Sequence, residues 1–309
     1  MREVMVKRVG QGEFTYEVDE EWARLPAEWG MTSAAVAGDS RDRVYVFDRG
    51  PHPVMVFDRE GKFLYSWGEG IFRMPHAVYL DAKDNVWLVD RDQGQVMKFT
   101  SDGKIQMSIG VKGYRSDTGV PEDDFSSNAF TRVTHGGKPF HLPAGVAVSS
   151  TGDIFVADGY ANSRVHQFTA EGKLIKSWGQ PGKGRGQFNL PHGVWIDRQD
   201  RVLVADREND RVQVFSTDGE LISVWPLELI GPAVIHVDNN NVAYIPEHNS
   251  GKFSVVSIDG DRVERVARWG SEVNRSCHGA WVDSLGDVYV VQPGEFGRKR
   301  RVVKYHRRR

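Results

Sequence analysis

One motif of about 40 residues, written about six times, constrains this chain more than any other feature. Each copy runs as a short apolar strand, a polar turn with Gly or Asn, and an alternating strand ending in Asp. A second polar turn, a strand ending in Phe or Tyr, an Asp-Gly turn and a last strand that usually ends in Trp complete it. The clearest copy reads Gly193-Val-Trp-Ile-Asp197, Arg201-Val-Leu-Val-Ala-Asp206, Arg211-Val-Gln-Val-Phe215, Asp218-Gly219 and Leu221-Ile-Ser-Val-Trp225. Every segment has strand length, is rich in β-branched and aromatic residues, and is bounded by turn formers. Repeats share one core, so the 309 residues are read as a single domain, 1–309, although length alone would allow two.

Aligned on this script, the units run from about Ala34 to Gly68, His76 to Gly110, Ala144 to Gly179, His192 to Trp225 and Ala233 to Gly270, and a sixth starts at His278. Four strands per repeat predict an all-β fold, a six-bladed β-propeller of four-stranded antiparallel blades. The sixth unit stops after Arg301-Val-Val-Lys-Tyr305, one strand short, while Glu13-Phe-Thr-Tyr-Glu-Val18 is strand-like and precedes unit one. That N-terminal strand is expected to complete the last blade and close the ring, so that no edge is left open. An insertion at 111–142, rich in Gly, Asp, Ser and Pro, separates blades two and three and reads as a binding loop, a lid or a surface excursion.

The formal net charge of −2 excludes a strong overall field toward nucleic acid or membrane. The basic runs at 298–301 and 307–309 read as a solvated tail. A single cysteine, Cys277, excludes an internal disulfide and a cysteine-based zinc cluster. With no apolar run long enough for a signal peptide or a membrane span, the expectation is a cytoplasmic protein with a small-molecule substrate, no membrane partner and an oligomeric state left open.

The unit openings carry the chemistry. His76, His192 and His278 open units two, four and six, whereas Ala stands there in units one, three and five. First strands line the channel of a propeller, so the histidines of alternate blades converge about a third of a turn apart, as three facial ligands to one metal require. Three neutral imidazoles with one open position favour zinc; manganese, iron or cobalt remain alternatives. The turns after the second strands belong to the same end of the ring. They read Asp48-Arg49-Gly50, Asp90-Arg91-Asp92, Asp158-Gly159-Tyr160 and Asp206-Arg207-Glu208. The aspartates fit turn residues bonding nearby amides. Arg49, Arg91 and Arg207 fit either bidentate grips on a substrate carboxylate or salt bridges to adjacent acids. Tyr160 is placed to act as general base if a cation and the arginines stabilise its phenolate. The remaining histidines, His248 among them, fall at no position shared between units.

These residues resemble NHL-repeat propellers, and within them the peptidyl-alpha-hydroxyglycine alpha-amidating lyases, over most of the chain from Val44 to Val291. The closest segments are Ala157-Asp-Gly-Tyr-Ala-Asn-Ser-Arg-Val165, Phe188-Asn-Leu-Pro-His-Gly193, Val204-Ala-Asp-Arg-Glu-Asn-Asp-Arg-Val-Gln213 and Phe47-Asp-Arg-Gly50. The resemblance implies zinc on His76, His192 and His278, a catalytic Tyr160, and active-site Arg49 and Arg207. The implied reaction splits a carbinolamide, N-CH(OH)-COOH, into an amide and glyoxylate. Ser276 stands where that family has a methionine, on the pocket floor, and is taken as a substrate contact; Gly279 replaces an acidic calcium ligand, which weakens any expectation of calcium. Ala161, Leu203 and Val214 replace its disulfide cysteines, and no copper monooxygenase domain lies within these residues. A small hydroxylated amide therefore ranks with a peptide as substrate. A metal-dependent hydrolase or hydratase on the same scaffold, a lactonase-type propeller and a non-catalytic NHL propeller binding protein or RNA are the competing readings. Histidines in alternating blades and the lack of a broad basic face with stacking aromatics argue against the last, and nucleic acid is not an expected partner.

Overall fold

A computed structural model describes residues 7–270, 277–292 and 301–308. Its sheets form a closed ring of six blades, five of them four-stranded and the sixth five-stranded. Blade four is typical: its antiparallel strands are Pro191–Ile196, Val202–Asp206, Arg211–Phe215 and Leu221–Val224.

The near-continuous apolar second strands follow from burial on both faces. In blade four, Val202 and Val204 enter a cluster with Phe155 and Ala157 of blade three, while Leu203 and Ala205 enter one with Ala243 and Ile245 of blade five. Burying each such side chain contributes roughly 1.5–3 kcal/mol. The same sharing recurs at every junction, including that between Tyr289 and Val291 of blade six and Val44 and Val46 of blade one.

The Trp and Asp-Gly positions of the repeat explain each other. Gly103 of blade two packs against Trp67 of blade one, and Gly219 of blade four against Trp178 of blade three. A Cβ on Gly219 would lie 2.9 Å from the Trp178 ring, and its φ of +76° already calls for glycine.

The last blade closes as expected, with one addition. Phe14–Asp19 pairs with Arg301–Arg307, placing Val18 opposite Tyr305. A fifth strand, Arg8–Gln11, unforeseen in the sequence, then pairs with Phe14–Asp19 in a hairpin. This corrects the expectation of a solvated basic tail for Arg301, Arg307 and Arg308. Arg301 pairs with Glu20 at 2.6 Å, Arg307 with Glu13 at 3.1 Å and Arg308 with Glu17 at 3.7 Å, so these cations hold the two chain ends together. Residues 298–300 and 309 lie outside the described residues. Among those described, no helix is long and apolar enough to cross a membrane.

Candidate metal centre and the chamber above it

The acid that ends each second strand prepares the strand that carries the site. Asp90 accepts backbone N–H groups from Arg73 and Met74, and Asp206 accepts that of Asn189, so each carboxylate grips the turn entering a histidine strand. Asp206 is fully buried, and desolvation pushes its carboxyl up to about 6 against the pull of its hydrogen bonds. In blade five the acid is Glu247, which accepts the N–H of Ile230 at 2.9 Å.

His76, His192 and His278 are buried on the axis, and the ring nitrogens they could offer to a metal ion lie within 4.8 Å of one another. Each ring is oriented by the next blade. The Nδ1 atoms of His76, His192 and His278 lie 2.7 Å from the carbonyl oxygens of Ala144, Ala233 and Ala34, the alanines that open blades three, five and one. A carbonyl only accepts, so Nδ1 carries the proton and Nε2 presents its lone pair to the axis. Gly193 makes one of these contacts possible, since a Cβ there would stand 2.7 Å from the Ala233 oxygen.

Charge and burial favour neutral rings at His76 and His192. Desolvation first, then the cations Arg49 and Arg91, hold His76 well below its usual range; desolvation and Arg207 do the same for His192. Tyr160 Oη lies 3.3 Å from His76 Nε2 and 3.2 Å from His192 Nε2, yet one phenol proton can serve only one of them. Converging lone pairs on neutral rings with fixed Nδ1 protons suit a shared divalent cation. Two nitrogens on one tetrahedral zinc stand about 3.4 Å apart, so a pair as wide as 4.8 Å would close by roughly 1.4 Å around the ion.

Above this layer lies a cavity of about 360 Å³ lined by Arg49, Arg91, Tyr160, Arg207, His248 and His278, with Ser127, Asn128, Phe130, Glu208 and Asn249 completing its wall. Arg207 Nη1 donates to Tyr160 Oη at 3.4 Å, and the guanidinium carbons of Arg91 and Arg207 stand 5.1 and 5.5 Å from the Tyr160 ring centre. Arg91 also carries a salt bridge to Asp92 and Arg207 one to Glu208, both at 2.8 Å. Arg49 donates from Nε to the carbonyl of Pro75, next to His76, at 3.1 Å. The structure thus gathers His76, His192, His278, Tyr160, Arg49, Arg91 and Arg207, while Ser276 lies outside the described residues.

His248 corrects the sequence reading. It follows Glu247 as Arg49 follows Asp48, Arg91 follows Asp90 and Arg207 follows Asp206, and like them it lines the cavity. The clue was its register, hidden because blade five writes Glu in place of Asp. Glu208 and Asn249 were also missed; Asn249 Nδ2 donates to Glu208 Oε2 at 3.3 Å, linking that salt bridge to blade five.

Ring and site together define an NHL-repeat propeller with a three-histidine axis, and the NHL repeat model matches residues 140–168 and 188–215. The chain is 33% identical over 237 residues to peptidyl-alpha-hydroxyglycine alpha-amidating lyase 1 of Drosophila melanogaster, a match covering 72% of this chain and 39% of that protein. It is 30% identical over 220 residues to NHL repeat-containing protein 3 of Homo sapiens, covering 68% and 59% respectively. The chain therefore spans less than two thirds of either relative. A gluconolactonase from Xanthomonas campestris shares the fold, with a TM-score of 0.65 at 11% identity over 94% of this chain and 89% of that one.

Proposed function

We propose that this propeller is a metal-dependent carbon–nitrogen lyase that cleaves a small α-hydroxylated N-acylglycine into an amide and glyoxylate. The observation that carries the reading is the meeting of three Nε2 lone pairs with the Tyr160 hydroxyl under a chamber lined by guanidinium groups. The similarity to proteins named as amidating lyases supports it.

His76, His192 and His278 would hold the ion, for which zinc is our choice. Bound there, it would supply Lewis acidity toward substrate oxygens. Arg49, Arg91 and Arg207 hold the substrate carboxylate, with bidentate geometry available to a guanidinium. Acting as a phenolate, with Arg207 Nη1 donating to it, Tyr160 Oη takes the proton of the substrate hydroxyl. The C–N bond then breaks with its electron pair going to nitrogen, the hydroxyl carbon becomes the aldehyde of glyoxylate, and the proton on Tyr160 passes to nitrogen. Atoms and charge balance without a redox partner.

Metal analysis of the purified protein, followed by incubation with alpha-hydroxyhippurate and assay for glyoxylate, tests this. Near-stoichiometric zinc lost in His192→Ala, with glyoxylate released by wild type, is the expected result. Absence of glyoxylate from zinc-loaded protein would exclude this reaction on this substrate.

A further inference from the structure

One wall of the chamber is supplied by no repeat. The chain leaves blade two at Ile109, re-enters the ring at Gly145, and in between forms a short 3-10 turn, Ala129–Arg132. This segment is fastened along its length. Thr118 is fully buried, Gly137 N–H donates to Asn162 Oδ1 at 2.7 Å, and the Phe125 carbonyl accepts from Arg91 Nη2 at 3.0 Å. Arg73 and Arg115 stand over the Phe125 ring at 4.4 and 5.0 Å. Val120, Ala129 and Leu142 share a cluster with Tyr160 itself. Ala129 thus anchors the turn to the catalytic tyrosine, while its neighbours Asn128 and Phe130 line the cavity.

The chemistry of that wall differs from the rest. The repeats contribute three guanidinium groups suited to a carboxylate, with Tyr160, Glu208, His248 and Asn249 beside them, whereas the insertion brings only uncharged groups: Ser127, the Asn128 amide and the Phe130 ring. An amide side chain both donates and accepts, so it matches a substrate amide; Phe130 offers apolar area to an acyl group.

We propose that Asn128 and Phe130 form the acyl subsite and favour N-acyl α-hydroxyglycines whose acyl or aroyl group lies on the Phe130 ring over a peptide C-terminus with a small residue before the glycine. This rests on the lyase reading above.

The test is calorimetric titration of zinc-loaded wild type, Asn128→Ala and Phe130→Ala with hippurate and with N-acetyl-tetraalanyl-glycine, alongside glyoxylate assays on the hydroxylated counterparts. Wild type should bind hippurate at least ~10-fold more tightly than the peptide, and Phe130→Ala should bring the ratio close to one. Asn128→Ala, at an exposed position, should weaken hippurate by about 10-fold with the fold intact. Equal binding of the two ligands by wild type, binding of neither, or an unchanged ratio in Phe130→Ala would overturn the subsite. Selective binding without glyoxylate would sink the lyase reading and leave the subsite standing; glyoxylate release with no selectivity would do the reverse.

Discussion

The carbonyl of Ala233 lies 2.7 Å from Nδ1 of His192, so a blade with no histidine at its opening orients the imidazole of the blade before it. Gly193 leaves that carbonyl the space it needs. Gly193→Ala would push the two blades apart and misdirect one imidazole without removing any ligand. Metal affinity should fall about 10–100-fold, the usual cost of losing an outer partner of a metal-bound histidine. Competition with a chelator of known affinity measures it, and an unchanged dissociation constant would dismiss the role given to the carbonyl.

Tyr160→Phe removes the hydroxyl proposed to take the substrate proton and keeps the ring that clusters with Ala129 and Leu142. Zinc content should hold while turnover of alpha-hydroxyhippurate drops by about 10²–10⁴. Turnover near the wild-type rate would assign proton transfer to another group.

Acid should weaken the metal-free protein. Unfolded, His76 and His192 take protons near the ordinary value of 6.5; folded, burial and the neighbouring arginines hold them well below it. Between those limits the unfolded chain binds more protons, so stability is present above 6.5 and is lost as pH falls below it, by about 1.4 kcal/mol per pH unit for each imidazole. Urea unfolding of the apoprotein at several pH values reports the slope, which should diminish in His76→Gln. A flat profile below that pH would contradict the assignment.

Asp206 gathers the Asn189 N–H, Asn209 Nδ2 and Arg211 Nε around one buried carboxylate. Asp206→Ala leaves these donors unmatched and should cost about 3–5 kcal/mol. Thermal unfolding with and without zinc would record it, the metal-loaded form suffering as well because Asn189 leads into the His192 strand.

The ring was legible because its blades repeat, and an unbroken apolar run such as Val202-Leu-Val-Ala205 reports burial on two faces. The histidine trio was legible for the same reason, since equivalent positions in a closed ring converge. What stayed hidden depends on contacts between distant segments. Arg8–Gln11 becomes a strand only because Phe14–Asp19 is already paired to the C-terminal strand and offers an edge. His248 was obscured by a Glu-for-Asp exchange, and Asn128 and Phe130 sit in a segment without periodicity, whose course is set by anchors such as Asn162 and Arg91.

Each histidine is paired with the main-chain carbonyl of the residue that opens the following blade. The acceptor belongs to the backbone, so replacing Ala34, Ala144 or Ala233 by another residue that fits would leave it in place. A slip of one blade against the next would instead carry the carbonyl away from its ring. The centre therefore depends on the seams between modules more than on the side chains that open the receiving ones.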